Sequence, residues 1–105
     1  MRPASAAYAG GMAITFAHEA DARRYAMHLD GSLVAVLDYR INAGQISFNH
    51  TFTNPQHRGK GYAAQLVEFA VDDVEATTDL KVVPMCWYVG DWFSAHPERT
   101  ALLTR

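Results

Sequence analysis

The chain has 105 residues, 50% of them hydrophobic and 19% charged, and its formal net charge is −2 at pH 7. This composition is typical of one soluble globular domain, which at this length buries about 65% of the surface of its unfolded chain. The slightly acidic balance argues against a nucleic-acid-binding protein, because such proteins usually carry a strongly basic face. The single cysteine, Cys86, excludes an internal disulfide and suits a reducing compartment, so we expect a cytoplasmic protein.

The N-terminal segment is different in composition from the rest. Residues 1–11 are small and rich in alanine and glycine, and they lack the apolar core of a signal peptide. No apolar run anywhere approaches the ~20 residues that span a bilayer, so we expect no membrane partner. We predict a flexible N-terminal extension over residues 1–11 and a single domain over residues 12–105.

Antiparallel strands are predicted to follow. Tyr25, Met27 and Leu29 recur at every second position, which is the period of a half-buried strand. The sequence Asp30-Gly31 is a hairpin-turn signal, and residues 32–40 form the partner strand. A shorter strand over residues 14–17 is expected to precede this hairpin.

A second turn is predicted at residues 42–44, and it leads into a strand over residues 45–53. Period-two alternation puts four side chains of this strand on one face, namely Ile46, Phe48, His50 and Phe52. A helix over residues 61–77, a strand over residues 80–85 and a helix over residues 87–96 complete the chain. The first helix has an apolar stripe, and its acidic residues Glu68, Asp72, Asp73 and Glu75 fall outside that stripe. We expect Asp72, Asp73 and Glu75 to form a face exposed to solvent.

The sequence Arg58-Gly59-Lys60-Gly61 directly precedes the first predicted helix. Glycines leave backbone N–H groups uncovered, and a helix N-terminus adds a positive dipole end, so this loop predicts a cradle for an anion such as a phosphate. The loop is not a Walker sequence, since Gly61 stands where serine or threonine would follow the lysine. It matches the G-x-G-x-x-A dinucleotide pattern, but the preceding strands form hairpins rather than a parallel βαβ unit. A helix entry without any ligand is the remaining alternative.

Residues 56–63 resemble the acyl-CoA-binding signature Q/R-x-x-G-x-G/A of the GNAT acetyltransferases. Other segments, in the same order, resemble the minimal single-domain GNAT-like family (YJDJ type). These segments are residues 37–40, 50–51, 58–61, 81–86 and 96–98. The resemblance extends from about residue 14 to residue 98.

This resemblance implies an α/β (α+β) fold with a mostly antiparallel twisted sheet, splayed between the two strands that flank the glycine loop and its helix. It implies N-acetylation of a primary amine, of a small molecule or a side chain, by direct attack on the thioester of acetyl-CoA. A backbone N–H near Phe52 or Thr53 would stabilise the oxyanion. The residues it implies for binding coenzyme A are Phe52, Thr53, His57, Arg58, Gly59, Lys60, Gly61, Tyr62 and Ala63.

Three side chains are candidates for catalysis, each with a structural alternative. His50 could act as a general base, or it could pack between neighbouring phenylalanines. Cys86 could accept the acyl group, or it could be a small buried residue. Tyr88 could return a proton to the leaving thiolate, or it could serve in packing.

Two positions depart from the family pattern. Phe52 stands where a glutamate base is often found, and Trp87 stands where proline usually follows the cysteine. The departure at Phe52 keeps open a non-catalytic acyl-CoA-binding or sensor module, and Cys86 keeps open acyl transfer through the thiol. We expect no metal, since the five histidines have no metal-ligand spacing. The amine is not identified by the sequence, and the protein is expected to be a monomer or a homodimer.

Overall fold

The computed structural model describes residues 5–9 and 12–105, with side chains from Ala13 onward. Six strands form one sheet in chain order, and neighbouring strands are antiparallel except for the last pair, which is parallel. The elements are β1 (Ser5–Ala9), β2 (Met12–Glu19), β3 (Arg24–Leu29), β4 (Ser32–Asn42), β5 (Gln45–Thr53), α1 (Tyr62–Thr77), β6 (Lys81–Pro84) and α2 (Trp87–Ala95). The expected mixed α/β fold with a mostly antiparallel sheet is confirmed.

Both predicted hairpins have two-residue turns. Asp30 and Gly31 have φ of 48° and 83°, and Ala43 and Gly44 have φ of 52° and 77°. Positive φ at both central positions defines the type I′ turn, whose twist matches that of the flanking strands. These turns fix the starting register of β4 against its two neighbours.

Part of the expected N-terminal extension forms a strand. Ser5–Ala9 pairs antiparallel with β2. The remaining residues of that segment, 1–4, 10 and 11, lie outside the described residues. The division of the chain into an extension and one domain stays a prediction.

The core lies between α1 and one face of the sheet. Its largest fully buried side chains include Tyr25, Met27 and Leu37 from the strands and Leu66 from α1. Helix α2 adds Trp92 and Phe93 and is followed by a 3-10 helix over Pro97–Leu103, which the sequence did not predict.

The expectation that Asp73 lies in solvent was wrong. Its side chain is only 2% exposed and belongs to the core face of α1. The Tyr25 hydroxyl donates a hydrogen bond to Asp73 Oδ2 at 2.7 Å, and His18 Nδ1 lies 3.2 Å from the same oxygen. These partners compensate for the removal of the carboxylate from water.

A β-bulge in β5 overturns the expected face of two site residues. Tyr39 pairs with Phe48 but Asp38 pairs with His50, so Asn49 is an extra residue in β5. Ile46 and Phe48 therefore face the core, whereas His50 and Phe52 lie on the face opposite α1. The buried residues of α1 and α2 belong to the core cluster, whereas the side chains of His50 and Phe52 are 63% and 43% exposed.

Candidate functional site

Strands β5 and β6 separate beside the glycine loop. Their parallel pairing ends at Phe48 and Pro84, and one further bond joins Cys86 N–H to the Phe48 carbonyl at 2.8 Å. Helix α2 begins at the next residue, Trp87, and leads the chain away. The second half of β5 is thereby left without a β6 partner, which is the splay expected from the sequence.

The direction of the backbone groups along this open edge follows from strand alternation. The Asn54 N–H donates to the Val34 carbonyl of β4 at 2.7 Å. Alternate residues of a strand point to opposite sides, so Thr51 and Thr53 direct their N–H and C=O groups away from β4 and toward the open edge. Phe52 directs its N–H toward β4. Of the two residues proposed as oxyanion donors, only Thr53 therefore presents its N–H at the edge.

The glycine loop carries uncovered N–H groups. Gly59 and Gly61 have φ of 78° and 77°, and Gly61 is the N-cap of α1 without any side-chain cap. The Arg58 N–H is used by the Pro55 carbonyl at 3.3 Å, so it is not available to a ligand. Within the described residues, no backbone carbonyl accepts a hydrogen bond from the N–H of Gly59, Lys60 or Gly61.

The space in front of the loop is open. A Cβ placed on either Gly59 or Gly61 would meet no other atom within 4 Å. Gly61 is the N-cap of a helix of 16 residues, so the first free N–H groups and the positive end of its dipole point into this space. Uncovered N–H groups at a helix N-terminus are suited to bind an anion such as a phosphate.

Most of the predicted site residues line one cleft of about 540 Å³, which we call the edge cleft. Lys60 and Cys86 are the predicted residues that do not line it. Thr51 and Trp87 line it without having been assigned a role. The full lining is His50, Thr51, Phe52, Thr53, His57, Arg58, Gly59, Gly61, Tyr62, Ala63, Trp87 and Tyr88.

His50 is held by a carboxylate that the sequence did not reveal as its partner. Its Nδ1 lies 3.2 Å from Asp38 Oδ2, and the two side chains are 63% and 45% exposed. The alternative in which His50 packs between phenylalanines is therefore wrong. With Nδ1 engaged by Asp38, Nε2 is the ring nitrogen that remains for a proton transfer.

Cys86 lies directly behind the edge cleft. Its Sγ is 3.5 Å from Thr51 Oγ1. Burial raises the pKa of the thiol, but the Thr51 hydroxyl and the backbone N–H groups of Tyr88, Val89 and Thr51 lower it by more, so that the pKa falls below its ordinary value. The position before the first turn of α2 supplies two of these N–H groups, as expected for a thiolate at a helix N-terminus.

Two aromatic residues form the wall of the cleft on the α2 side. Tyr88 meets the Trp87 ring edge-on at 5.8 Å between centroids, and Trp87 is 75% exposed. Burial raises the pKa of the Tyr88 phenol, so this group keeps its proton at neutral pH. It is able to donate a hydrogen bond to a group in the cleft.

The loop is connected to the end of β5 by side chains. Arg58 Nε donates to the Thr53 carbonyl at 3.2 Å, which occupies an acceptor on the open edge. The Asn54 side chain accepts from the Gln56 N–H at 3.3 Å and caps the 3-10 turn Pro55–His57. The Nδ1 atom of His57 is buried and has no hydrogen-bond partner among the described residues.

Comparison with known proteins agrees with this architecture. The model of a family described as GCN5-related N-acetyl-transferase matches residues 24–102, which include every element from β3 to α2. The chain belongs to this family. The curated protein NATD1 of Mus musculus is 30% identical over 98 residues, covering 90% of this chain and 86% of that protein. Family membership supports acetyltransferase activity in general terms, with acetyl-CoA as the usual acyl donor.

Two further findings hold for the residues that the structure describes. None of their helices is long and apolar enough to cross a membrane. No group of three or more histidine, cysteine, aspartate or glutamate side chains there is arranged to hold a metal ion.

Proposed function

We propose that this protein is an acetyl-CoA-dependent N-acetyltransferase that acts on a primary amine by direct attack on the thioester. The observation that carries the proposal is the edge cleft, in which the open half of β5 and the free N–H groups of the loop line the same space. Residues 58–61 would bind the pyrophosphate of coenzyme A through the N–H groups of Gly59, Lys60 and Gly61, with the charge of Arg58 and Lys60 beside it. Bound acetyl-CoA would supply the acetyl group as an activated thioester.

The acceptor amine must lose a proton before it can act as a nucleophile. In this proposal Nε2 of His50 accepts that proton as a general base, and Asp38 orients the ring through its contact with Nδ1. Asp38 is then a positioning residue. It lies on the neighbouring strand β4 and supplies a carboxylate where the family pattern would have one at the position of Phe52. The N–H of Thr53 is directed to the open edge and would stabilise the developing oxyanion. The Tyr88 hydroxyl would donate its proton to the departing thiolate.

A second route is favoured by the environment of Cys86. Its lowered pKa and its contact with Thr51 suit a thiolate that takes the acetyl group first and passes it to the amine. In that route the Cys86 thiolate attacks the thioester carbonyl, the bond between the acetyl carbon and the sulfur of coenzyme A breaks, and coenzyme A leaves as its thiolate. The amine then attacks the acetyl group on Cys86 and releases the Cys86 thiolate. Cys86→Ser should abolish transfer by this route but leave direct attack largely intact.

The first experiment is native mass spectrometry of the protein with acetyl-CoA, beside NAD and ATP. We expect a one-to-one adduct with acetyl-CoA alone. Gly61→Asp should weaken binding at least tenfold, because a carboxylate would enter the anion cradle. Gly44→Asp is a matched control, since Gly44 has the same φ of 77° and open space around it but lies at the opposite end of β5 from the loop. Equal binding by both variants would refute the cradle.

Denaturing mass spectrometry of the same samples separates the alternatives. An acetyl group that survives denaturation, and is absent in Cys86→Ser, would establish the covalent route. Binding of acetyl-CoA without transfer to any amine of a broad panel would instead establish a non-catalytic binding module.

A further inference from the structure

A second cleft lies on the sheet face opposite α1. It has a volume of about 500 Å³, and we call it the polar groove. Its residues come from β4, from β5, from β6 and from the segment that follows β6. They are Arg40, Asn42, Gln45, Ser47, Asn49, Val83 and Met85.

The polar groove contains one cation and no carboxylate. Within the described residues, the Arg40 guanidinium takes part in no ion pair and in no hydrogen bond. The nearest acidic residue on the same face of β4 is Asp38, whose carboxylate is engaged by His50 instead. A guanidinium without a protein partner, set among amide and hydroxyl groups, is suited to bind a carboxylate of a ligand through two parallel hydrogen bonds.

The polar groove adjoins the catalytic end of the edge cleft. Asn49, the bulge residue, lines the groove, and the next residue, His50, lines the edge cleft. Arg40 follows Asp38 by two residues on the same face of β4, which is a separation of about 7 Å along the strand. If a small molecule has its amine at His50, a carboxylate close to that amine in the same molecule is therefore within reach of Arg40.

From this arrangement we infer that the acceptor is an amine that also carries a carboxylate, as an α-amino acid does, and that Arg40 binds this carboxylate in the polar groove. The inference rests on the proposed acetyl transfer and names its substrate class. Val83 and the 66% exposed Met85 provide an apolar wall for a side chain of the substrate. The amide groups of Asn42 and Asn49 provide further hydrogen-bond donors.

The test measures acetyl transfer to α-amino acids and to their C-terminal amides, with leucine and leucinamide as the first pair. We expect kcat/KM to favour leucine at least tenfold, although the amine of the amide is the more readily deprotonated. Arg40→Gln should remove this preference by raising KM for leucine about ten- to a hundredfold, with kcat nearly unchanged. Arg40→Lys keeps the charge but lacks the planar guanidinium, so its preference for leucine should lie between those of the parent protein and Arg40→Gln.

Arg23→Gln is the matched control. Arg23 is an exposed arginine that lines the neighbouring depression together with Arg40 but does not line the polar groove. It should keep the preference of the parent protein. Transfer to leucinamide as efficient as to leucine, or a preference that survives Arg40→Gln, would overturn the inference while leaving acetyl transfer established.

A binding measurement decides the question even if no transfer is observed. Titration calorimetry would compare N-acetylleucine with N-acetylleucinamide, each added to the protein with coenzyme A present. Tighter binding of the acid that depends on Arg40 would support the groove as a carboxylate site by itself. Equal binding of acid and amide would overturn it, whatever acetyl-CoA does in the edge cleft.

Discussion

Two aspartate–histidine pairs occupy opposite faces of the sheet, and their geometry is nearly the same. In each, a histidine Nδ1 lies 3.2 Å from an aspartate Oδ2. The pair His18–Asp73 lies under α1, with the two side chains 20% and 2% exposed. The pair His50–Asp38 lies on the face opposite α1, with the two side chains 63% and 45% exposed.

The difference between the pairs lies in what surrounds them. Around Asp73, the Tyr25 hydroxyl donates at 2.7 Å, and His18 Nε2 is 2.5 Å from the Tyr39 hydroxyl. These ring and hydroxyl groups join β2, β3, β4 and α1 into one buried network. Around His50 there is instead an open cleft that continues to the glycine loop. The same contact therefore serves stability in one place and leaves a ring nitrogen available for chemistry in the other.

The largest expected effect is on the rate of acetyl transfer. His50→Gln should lower kcat by about a hundredfold or more, which is the usual contribution of a general base. His18→Gln is the matched control on the other face and should leave kcat within about twofold, because His18 is remote from the edge cleft. Steady-state kinetics on both variants checks this. A kcat unchanged in His50→Gln would remove the general base from the proposal.

The role of Asp38 is tested separately, because it acts through His50. Asp38→Ala should lower kcat by about tenfold while KM for acetyl-CoA stays constant, and Asp38→Glu should restore part of the loss. A purely structural role would lower the free energy of unfolding and would not be rescued in kcat. Comparing the urea midpoints with the rates of both variants separates the two roles.

The next effect is on stability. Asp73→Ala should lower the free energy of unfolding by about 2–3 kcal/mol, because it removes the carboxylate that accepts a buried hydrogen bond from the Tyr25 hydroxyl. Asp38→Ala should change the same free energy by no more than about 0.5 kcal/mol, since exposed pairs contribute little. Urea denaturation of both variants measures the difference. Equal losses would mean that burial does not distinguish the two pairs.

The sequence predicted the parts of this molecule that local rules control. Both hairpin turns, α1 and the loop before it follow from residues that are neighbours in the chain. The turn at Ala43 and Gly44 even fixes a register, in which Tyr39 faces Phe48. Continued without interruption, that register would place Asp38 opposite Asn49.

The bulge is what the sequence did not reveal. Its single extra residue moves Asp38 opposite His50 and turns His50 and Phe52 to the other face, reversing the expected alternation. Asp73 was misplaced for a related reason. Its burial depends on the hydroxyl of Tyr25, 48 residues earlier in the chain, and helical periodicity carries no information about that partner. The registers and contacts that complete the site are long-range, whereas the signals in the sequence are local.

A smaller effect concerns Cys86, which is the N-cap of α2. Because its pKa is lowered, its thiolate is more populated below the ordinary cysteine pKa, and alkylation by iodoacetamide should persist to lower pH than in a model thiol. Thr51→Val removes one of the interactions that stabilise the thiolate, so the midpoint of the alkylation rate should move to higher pH. Thr53→Val lies on the same edge, has no contact of its hydroxyl with the sulfur and is the control. A midpoint that stays in place in Thr51→Val would contradict this assignment.

The smallest expected effect is the response of the buried network to alkaline pH. Burial raises the pKa of Tyr39, and the nearby Asp73 carboxylate raises it further, while Arg23 lowers it. The folded protein therefore holds this proton at a pH where the unfolded chain has released it, so stability is fully present below the ordinary tyrosine pKa of about 10 and declines above it. Tyr39→Phe should remove part of that decline, at the cost of the hydrogen bond to His18 at neutral pH. Urea midpoints between pH 7 and pH 11 measure the slope. If the slope is unchanged in Tyr39→Phe, the loss of stability at alkaline pH comes from another group and not from ionisation of Tyr39 in the buried network.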